Sequence, residues 1–598
     1  MAQSVNVTHG AAEIAGDFQL AVTAAEDHEM KEVEEAIYSE LERVQHHLPS
    51  PEEMERAKNR TEWRHVRQMA NIGGFGGRSN RLNSFNVFAG DPDLANRDVE
   101  RFMAVQPEDV RRVANIYLKD RHARLVVLPE PRRSHAATSI DRALQPPPAQ
   151  SRPFLPPVPQ RQRLSNGLNL LVLEKRDLPA VAFGLVLKTG ATKDPLALPG
   201  LAAFTTAMLQ EGTTTRSSRQ IADEFEFIGS HLAATPGRER TLVAAETLSR
   251  HWPKALELTA DVIQRPTFPQ EEVDRVRNER LTALRRVKDD ATALAGRAAP
   301  ELLYGAESPY GHPLSGYEGT LQAMAREDLM RHFQTNYVPE LATLVVVGDA
   351  SMEEVARLAE EHLGRWKGNR PESEARGEAR DGQGPDVTTL YLLDKPGAPQ
   401  SVIRAGYVGV PRHHPDYLAL TLLNHIFGGQ FTSRLNMNLR QDKGYSYGYR
   451  SWIEWLRRSS LMLAGGAVQA DVTREAVEET LKEFQGIVGD RVVTEEEFGA
   501  SRAAMIRQFP ASFETPWQVL EHLTHLVYFD LPDDYYDNHI ANLESLSLAQ
   551  TRQVAREHVK SNGLMVLVVG DRATVEPELR KLGLPLHLID YEGRMIGG

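Results

Sequence analysis

The chain contains no cysteine in its 598 residues. That excludes disulfides, thiolate metal sites and cysteine nucleophiles, so any metal would have to be held by His, Asp or Glu. No stretch approaches the roughly 18 unbroken apolar residues that a membrane span needs. Lysine and arginine form no block of the kind that follows a phosphate backbone, and the formal net charge is -13, which argues against a nucleic-acid partner. The opening, MAQSVNVTHGAAEIAGDFQL, has no basic segment followed by an apolar core, so no secretion signal is read in it. The cytoplasm is then the default compartment, and a periplasmic or exported location would need an upstream signal. What is present is 41% hydrophobic and 25% charged residues, the composition of a globular protein with room for sizeable cores. The length suggests about three to five domains.

One pattern recurs. ARLVVLPEP (from Ala123), ATLVVVGDA (from Ala342) and GLMVLVVGDR (from Gly563) are short β-branched runs of strand type. Each follows a helix-like stretch: VQPEDVRRVANIYL, MAREDLMRHFQTNY and LSLAQTRQVAREHV. Ala342 lies 219 residues after Ala123, and Gly570 lies 222 after Gly348. That interval is too long for a solenoid repeat and suits a whole domain. PSPEEMERAKN, FPQEEVDRVRNER and VTEEEFGASRA also share one form, a turn and acidic residues that open a helix. Glu34-Glu35 matches Glu478-Glu479 at an interval of 444, two units. On that spacing the first copy lacks its front.

The expected organisation is therefore residues 1–135 as the rear part of a unit, a Pro-rich linker over 136–157, a second unit over 158–368, a flexible linker over 369–386, and a third unit over 387–592. Proline makes the first linker semi-rigid, and glycine with charge loosens the second. Units two and three run from strands to long helices to a closing strand, which predicts an α+β fold: a mostly antiparallel sheet with helices packed on one face. A sheet cut as in the first copy exposes an edge and apolar surface, a liability unless covered.

This layout resembles the insulinase-like zinc metallopeptidases, the pitrilysin and mitochondrial-processing-peptidase family, from residue 16 onward. The segments that carry the resemblance are PGLAAFTTAMLQEGTTTRSSRQIADEFEFIGSHLAA (from Pro199), SPYGHPLSG (from Ser308) and GGQFTSRLNMNLRQDKGYSYGY (from Gly428). The resemblance implies tandem α+β units arranged as part of a clam shell around a chamber. Active members carry H-x-x-E-H on a helix, where two histidines one turn apart bind zinc and the glutamate is the general base. Here the matching positions are Ala203, Thr206 and Ala207, and a further glutamate ligand aligns with Arg286, with Glu279 two turns earlier. Alanine has no donor atom and a guanidinium opposes a divalent cation, so no metal is expected on this chain.

Arg440 and Tyr447 match the other half of the family's machinery, and the resemblance implies that they orient the substrate backbone and hydrogen-bond the carbonyl oxygen as it gains charge. A guanidinium presents a fixed fork of donors, and a phenol offers one donor to an oxyanion. Zinc would then sit in a partner or a missing upstream unit, the substrate being a peptide or small protein. Family heterodimers pair a zinc-bearing subunit with an arginine-tyrosine chain. The alternative is a catalytically silent scaffold or peptide-binding subunit of the same fold.

Other features are read as ordinary. His522 and His525 in LEHLTHL are expected on an amphipathic helix as core or partner-facing residues, His413 and His414 beside proline as solvated, and His312 in a turn as structural. The glycines of Gly73 to Gly77 lack the preceding strand and the lysine-serine pair of a phosphate loop.

Overall fold

The computed structural model describes residues 2–11, 16–24, 30–73, 76–118, 122–125, 154–368, 382 and 384–596. Residues 123–125 of the closing strand expected from Ala123 onward are described and form no strand, while the rest of that segment, most of the Pro-rich linker and most of the second linker lie outside the described residues. The chain divides into two compact units, residues 1–155 with 226–229, and residues 156–225 with 230–598.

The smaller unit begins with an antiparallel hairpin, β1 (Ala2–Ala11) and β2 (Gly16–Ala24), with Val5 opposite Val22 and Val7 opposite Leu20. Side chains alternate across a strand, so Val5, Val7, Phe18, Leu20 and Val22 share one face. Five helices follow: α1 (Met30–His46), α2 (Pro51–Ala70), α3 (Arg78–Ala89), α4 (Leu94–Met103) and α5 (Pro107–Tyr117). The glutamate pair opens α2 as expected. Ser50 Oγ accepts from the Glu53 amide at 3.1 Å while the Glu53 carboxylate accepts from the Ser50 amide at 2.7 Å, a reciprocal cap for a helix start.

The larger unit holds two six-stranded sheets. The first is built from β3 (Gln160–Arg163), β4 (Asn169–Glu174), β5 (Ala180–Leu187), β6 (Ala233–Pro236), β7 (Thr241–Leu248) and β8 (Ala342–Gly348). Its spatial order is β3-β4-β8-β5-β7-β6, antiparallel except for β4 and β8. Its helices are α6 (Leu201–Met208), α7 (Ser218–Phe227), α8 (Trp252–Gln264), α9 (Gln270–Val287), α10 (Ala291–Tyr304), α11 (Glu318–Ala323), α12 (Arg326–Asn336) and α13 (Met352–Leu363).

The second sheet contains β9 (Thr389–Asp394), β10 (Gln400–Gly409), β11 (Ser446–Trp455), β12 (Ser460–Gln469), β13 (Met565–Gly570) and β14 (Leu586–Ile589), in the order β11-β12-β10-β13-β9-β14. Its helices are α14 (Tyr417–Asn424), α15 (Arg434–Asn436), α16 (Thr473–Val488), α17 (Glu495–Gln508), α18 (Pro516–Tyr528), α19 (His539–Ser545), α20 (Leu548–His558) and α21 (Arg572–Arg580). Strands β8 and β13 are the β-branched runs seen in the sequence. Both lie inside their sheets and are buried along their whole length, which is why they read as unbroken apolar segments rather than alternating ones.

Each sheet is covered on one face by helices of its own half and on the other by a helix from the opposite half. In the second sheet Leu390, Leu392, Ile403, Ala405, Val566 and Val568 join the core made by α14, α16, α20 and α21. The alternate residues Tyr391, Leu393, Val402, Leu567 and Val569 pack instead on Leu294, Ala295, Ala298, Ala299 and Leu303 of α10. The exchange is mutual. Phe183 of β5 meets Trp252 of α8 at 5.2 Å, whereas the next residue, Gly184, points toward Leu520 of α18, and α18 lies along β5 and β8. Polar contacts pin the seam. Glu239 accepts from the Tyr310 and Tyr528 phenols at 2.6 and 2.5 Å and from the Arg457 amide at 3.0 Å. Arg161 grips Asp533 with two nitrogens, Nε to Oδ2 at 3.1 Å and Nη2 to Oδ1 at 2.5 Å.

The outer side of α18 carries an aromatic cluster. His522 stacks on Phe513 at 4.2 Å and bonds Ser512 Oγ at 2.8 Å, and His539 stacks on Phe509 at 4.3 Å. Burial lowers both imidazoles to about 4, with the Ser512 hydrogen bond opposing for His522 and with His522 and Arg412 adding repulsion for His539. Their folded values lie below the ordinary value of about 6.5, so their neutral forms support the fold fully above about pH 6.5 and that support is lost as pH falls toward 4. Urea midpoints should therefore fall across that window, by on the order of 3 kcal/mol in unfolding free energy for each imidazole. A His522→Phe variant should make the profile shallower while His539 keeps part of it; an unchanged slope would contradict the assignment.

Candidate functional site

Helix α6 carries the positions aligned with the zinc motif. Its N-terminus is set by the buried Asp194, whose carboxylate accepts from the Gly200 and Ala202 amides at 2.8 and 2.7 Å. Gly200 adopts φ +96°, and a Cβ there would meet the Gly316 backbone at 2.8 Å, so glycine alone fits the entry. Ala203 and Thr206 are buried and Ala207 is partly buried. The Thr206 hydroxyl donates to the Ala202 carbonyl at 2.7 Å and meets Tyr337 Oη at 2.8 Å. No side chain of this set presents a metal donor.

Arg286 is exposed in the last turn of α9. Two other arginines of α9 reach α6 instead, Arg277 over the Phe204 ring at 5.9 Å and, closer to the motif positions, Arg280. Its Nη1 donates to the Ala203 carbonyl at 3.2 Å, and its guanidinium lies 5.6 Å from the Phe204 ring. Burial lowers its pKa to about 10, with Asp194 opposing, so it stays cationic at neutral pH. Glu279 is held by Arg275 at 2.6 Å on the surface. A zinc ion does not fit here, because donors are missing and a fixed cation faces the α6 backbone.

The other half of the expected machinery is exposed. Arg440 sits in a wide helical turn over Met437–Asp442, and its guanidinium lies 4.7 Å from the Phe431 ring. Gly444 turns the chain with φ +67°, and the Tyr445 amide bonds the Leu439 carbonyl at 2.9 Å. That bond seats the start of β11 against the helical turn. β11 is an edge strand, and its register with β12 shifts between Ser446 and Tyr449. Such a bulge re-aims side chains. Ser446 Oγ accepts from the Gly448 amide at 3.1 Å and donates to the Ala467 carbonyl at 2.7 Å. Tyr447, inside the bulge, is 74% exposed, whereas Tyr449 is fully buried and bonds Thr480 Oγ1 at 2.8 Å.

His312 is buried and bonds the Ala306 carbonyl at 2.5 Å, a turn-closing role. His414 is not simply solvated: its ring packs on His558 at 4.9 Å beside Asp416. Ligand atoms of His414, Asp416 and His558 lie within 4.8 Å of one another. His558 Nε2 already bonds Asp416 Oδ2 at 2.8 Å, and the Asp416 amide donates to His414 Nδ1 at 3.2 Å. The trio ties the end of α20 to the start of α14.

A cleft of about 430 Å³ lies at the seam between the two halves of the larger unit. Arg161, Lys188, Asp530 and Asp533 line it, and none of Ala203, Arg440 and Tyr447 does.

Residues 170–304 match the family model described as Insulinase (Peptidase family M16), and residues 323–505 match the one described as Peptidase M16 inactive domain. A Bacillus subtilis (strain 168) protein named uncharacterized zinc protease YmxG is 26% identical over 356 residues, 60% of this chain and 85% of its own length. A Rickettsia felis protein named as a zinc protease is 29% identical over 296 residues, 48% of this chain and 68% of its own. Among solved structures, a peptidase M16 inactive domain from Pseudomonas fluorescens superposes with a TM-score of 0.63 at 22% identity, covering 69% of this chain and 98% of its own. A Helicobacter pylori protease superposes with a TM-score of 0.64 at 18% identity, covering 69% and 99%.

The Arg280 cation makes a specific forecast. A variant carrying Ala203→His, Thr206→Glu and Ala207→His should still hold no tight zinc, and adding Arg280→Gln should raise its zinc affinity at least about tenfold. Titration against a fluorescent chelator reads both. One tightly held zinc in the variant that keeps Arg280 would contradict the role assigned to that residue.

Proposed function

The chain belongs to the insulinase-like family of peptidases, and from that premise we propose that it supplies the non-zinc half of a divided metalloendopeptidase site, binding peptide and completing the centre of a zinc-bearing half. One contrast carries the reading. The arginine-tyrosine pair is solvent-accessible on a turn and a bulged edge strand, while the zinc-motif positions hold two alanines and a threonine, Ala203, Ala207 and Thr206.

In this reading a zinc ion held by the other half would supply the activated water, and this chain's residues act on the peptide. Arg440, backed by the Phe431 ring, offers a planar fork of donors to the backbone carbonyls of an extended substrate, a role in which lysine would not substitute. Tyr447 donates its phenolic hydrogen to the scissile carbonyl oxygen as that oxygen gains charge. A donor that strengthens in the transition state lowers the barrier rather than merely tightening binding. The bulge at Ser446–Tyr449 serves this by turning Tyr447 outward while Tyr449 anchors the strand in the core.

The chain alone should cleave a quenched fluorescent peptide no faster than buffer, and cleavage should appear on adding a zinc-bearing family subunit from the same source. Tyr447→Phe should then slow kcat by about 100- to 1000-fold, and Arg440→Ala should raise KM. Full activity of the reconstituted Tyr447→Phe enzyme would leave the scaffold reading in its place.

A further inference from the structure

In a chain without cysteine, imidazole is the side chain best suited to a transition metal, and two imidazoles meet an aspartate in the second half of the larger unit. His414 and Asp416 lie in the turn that opens α14, and His558 is the last residue of α20. Asp416 Oδ2 stands 2.8 Å from His558 Nε2 and 3.6 Å from His414 Nδ1. The two rings meet edge-on, 4.9 Å apart at 79°, and one ligand atom of each residue lies within 4.8 Å of the other two. Donors around a tetrahedral zinc, with bonds of about 2.0–2.1 Å, are roughly 3.3 Å from one another. The separations found here straddle that value, so modest ring rotations seat an ion among the three.

Three features set the trio apart from an ordinary hydrogen-bonded turn. Asp416 holds the N-cap position of α14, yet its side chain makes no capping bond; the carboxylate faces the histidines instead. At the start of α6, by contrast, Asp194 gives both oxygens to helix amides. Second, His414 Nδ1 accepts from the Asp416 amide, so that nitrogen carries a lone pair and no proton, the form that ligates. Third, the fold does not require histidine at 558. Helices α12 and α20 coincide at the repeat interval of 222, Arg326 with Leu548 and Asn336 with His558. Asn336 bonds the His332 carbonyl of its own helix at 2.9 Å. The charges also suit a cation. Two neutral imidazoles and one carboxylate face it, and His558 lies in the last turn of α20, where the helix dipole favours positive charge. Arg412 is engaged elsewhere, 3.4 Å from the Tyr417 ring and bonded to Tyr535 Oη at 2.7 Å. All three side chains are partly exposed, so an ion can enter from solvent.

We propose that His414, Asp416 and His558 form a binding site for a divalent transition-metal ion of the zinc type, with water completing its coordination. The ion takes the place of the hydrogen that now bridges His558 Nε2 and Asp416 Oδ2. The neutral imidazole of His558 then carries its one hydrogen on Nδ1, and no net proton is lost. Magnesium and calcium, which favour all-oxygen ligand sets, are poor occupants. The ion clips the end of α20 to the entry of α14. Helix α14 leads directly to β11, since Ser451 Oγ of that strand donates to Asn424 Oδ1 of α14 at 2.7 Å. The clip therefore stiffens the frame behind the exposed edge strand and takes no part in bond cleavage. The missing donors at α6 do not bear on this site, which lies in the other half of the unit and uses neither Arg440 nor Tyr447.

The test uses the full chain, stripped with a chelator, and Zn²⁺ alone as probe. One zinc should bind per chain, saturating by about 100 µM, and should raise the thermal midpoint by mass action; Mg²⁺ at the same concentration should not. Zinc should slow hydrogen exchange of amides at the start of α14 and the end of α20. His558→Asn, which copies the earlier unit at that helix position, and His414→Gln should each weaken zinc at least about tenfold. Both metal-free variants should keep the wild-type circular dichroism; where one does not, the exchange map of the unaltered chain decides. No zinc bound at that concentration, binding that ignores both substitutions, or zinc-dependent protection confined to other elements would each overturn the proposal. With His558→Asn in the background, zinc titration of the α6 variants reads that helix alone. Tyr447→Phe leaves the trio intact and His558→Asn leaves Tyr447 intact, so this proposal and the divided-site reading fail separately.

Discussion

The mutual loan of α10 and α18 is the constraint on which the larger unit depends. A six-stranded sheet whose central strand is apolar on both faces needs cover on both. Each half supplies its own helices for one face only. The other face is filled by a helix from across the seam, α10 on the second sheet and α18 on the first. The alanines of α10 allow a close approach, and Gly184 leaves space before Leu520. Neither half could expose those faces to water without a large loss of apolar burial, so the two sheets are fixed as one body. The tyrosine phenols on Glu239 and the Arg161–Asp533 fork then add orientation to an interface already held by packing.

That rigidity bears on the candidate site. β11 lies at the open end of the second sheet, farthest from β14, and its inner residue Tyr449 is locked to Thr480 in the core. Tyr447 projects from the bulge two residues earlier, and Arg440 from a turn tied to β11 by the Leu439–Tyr445 bond. Exposed side chains on a fixed frame are suited to meeting a ligand. The α6 region has the opposite character. Its polar groups are turned inward, Thr206 to Ala202 and Tyr337, and the chemistry that a metal would need has been replaced by packing and by the Arg280 cation.

Much of this was legible in the sequence for definite reasons. The closing strands are buried on both faces, so they appear as runs of valine and leucine, and the acidic openings of α2, α9 and α17 mark helix starts. The interval of 444 between Glu34 and Glu478 extends to the pairing register of two hairpins, Val5 opposite Val22 and Tyr449 opposite Gly466. The exchange of helices was not legible. Periodicity shows that α10 and α18 have apolar faces, but not which sheet each face meets. Arg280 escaped notice because alignment by spacing points to Arg286, whereas helical phase and the length of a guanidinium decide which arginine reaches Ala203. The proline beside His414 suggests a solvated loop, and it is the long-range contact with His558 that changes its setting.

The crossed helices have one more consequence. Covalent continuity between Lys367 and Thr388 is not what joins the two halves of the larger unit, since each already carries a piece of the other's interior. A single cleavage of the backbone in that stretch would yield two polypeptides that remain one particle, held as an intertwined pair. A gene for such a protein could be divided at that point and its products still find each other, because neither fragment can close its core alone.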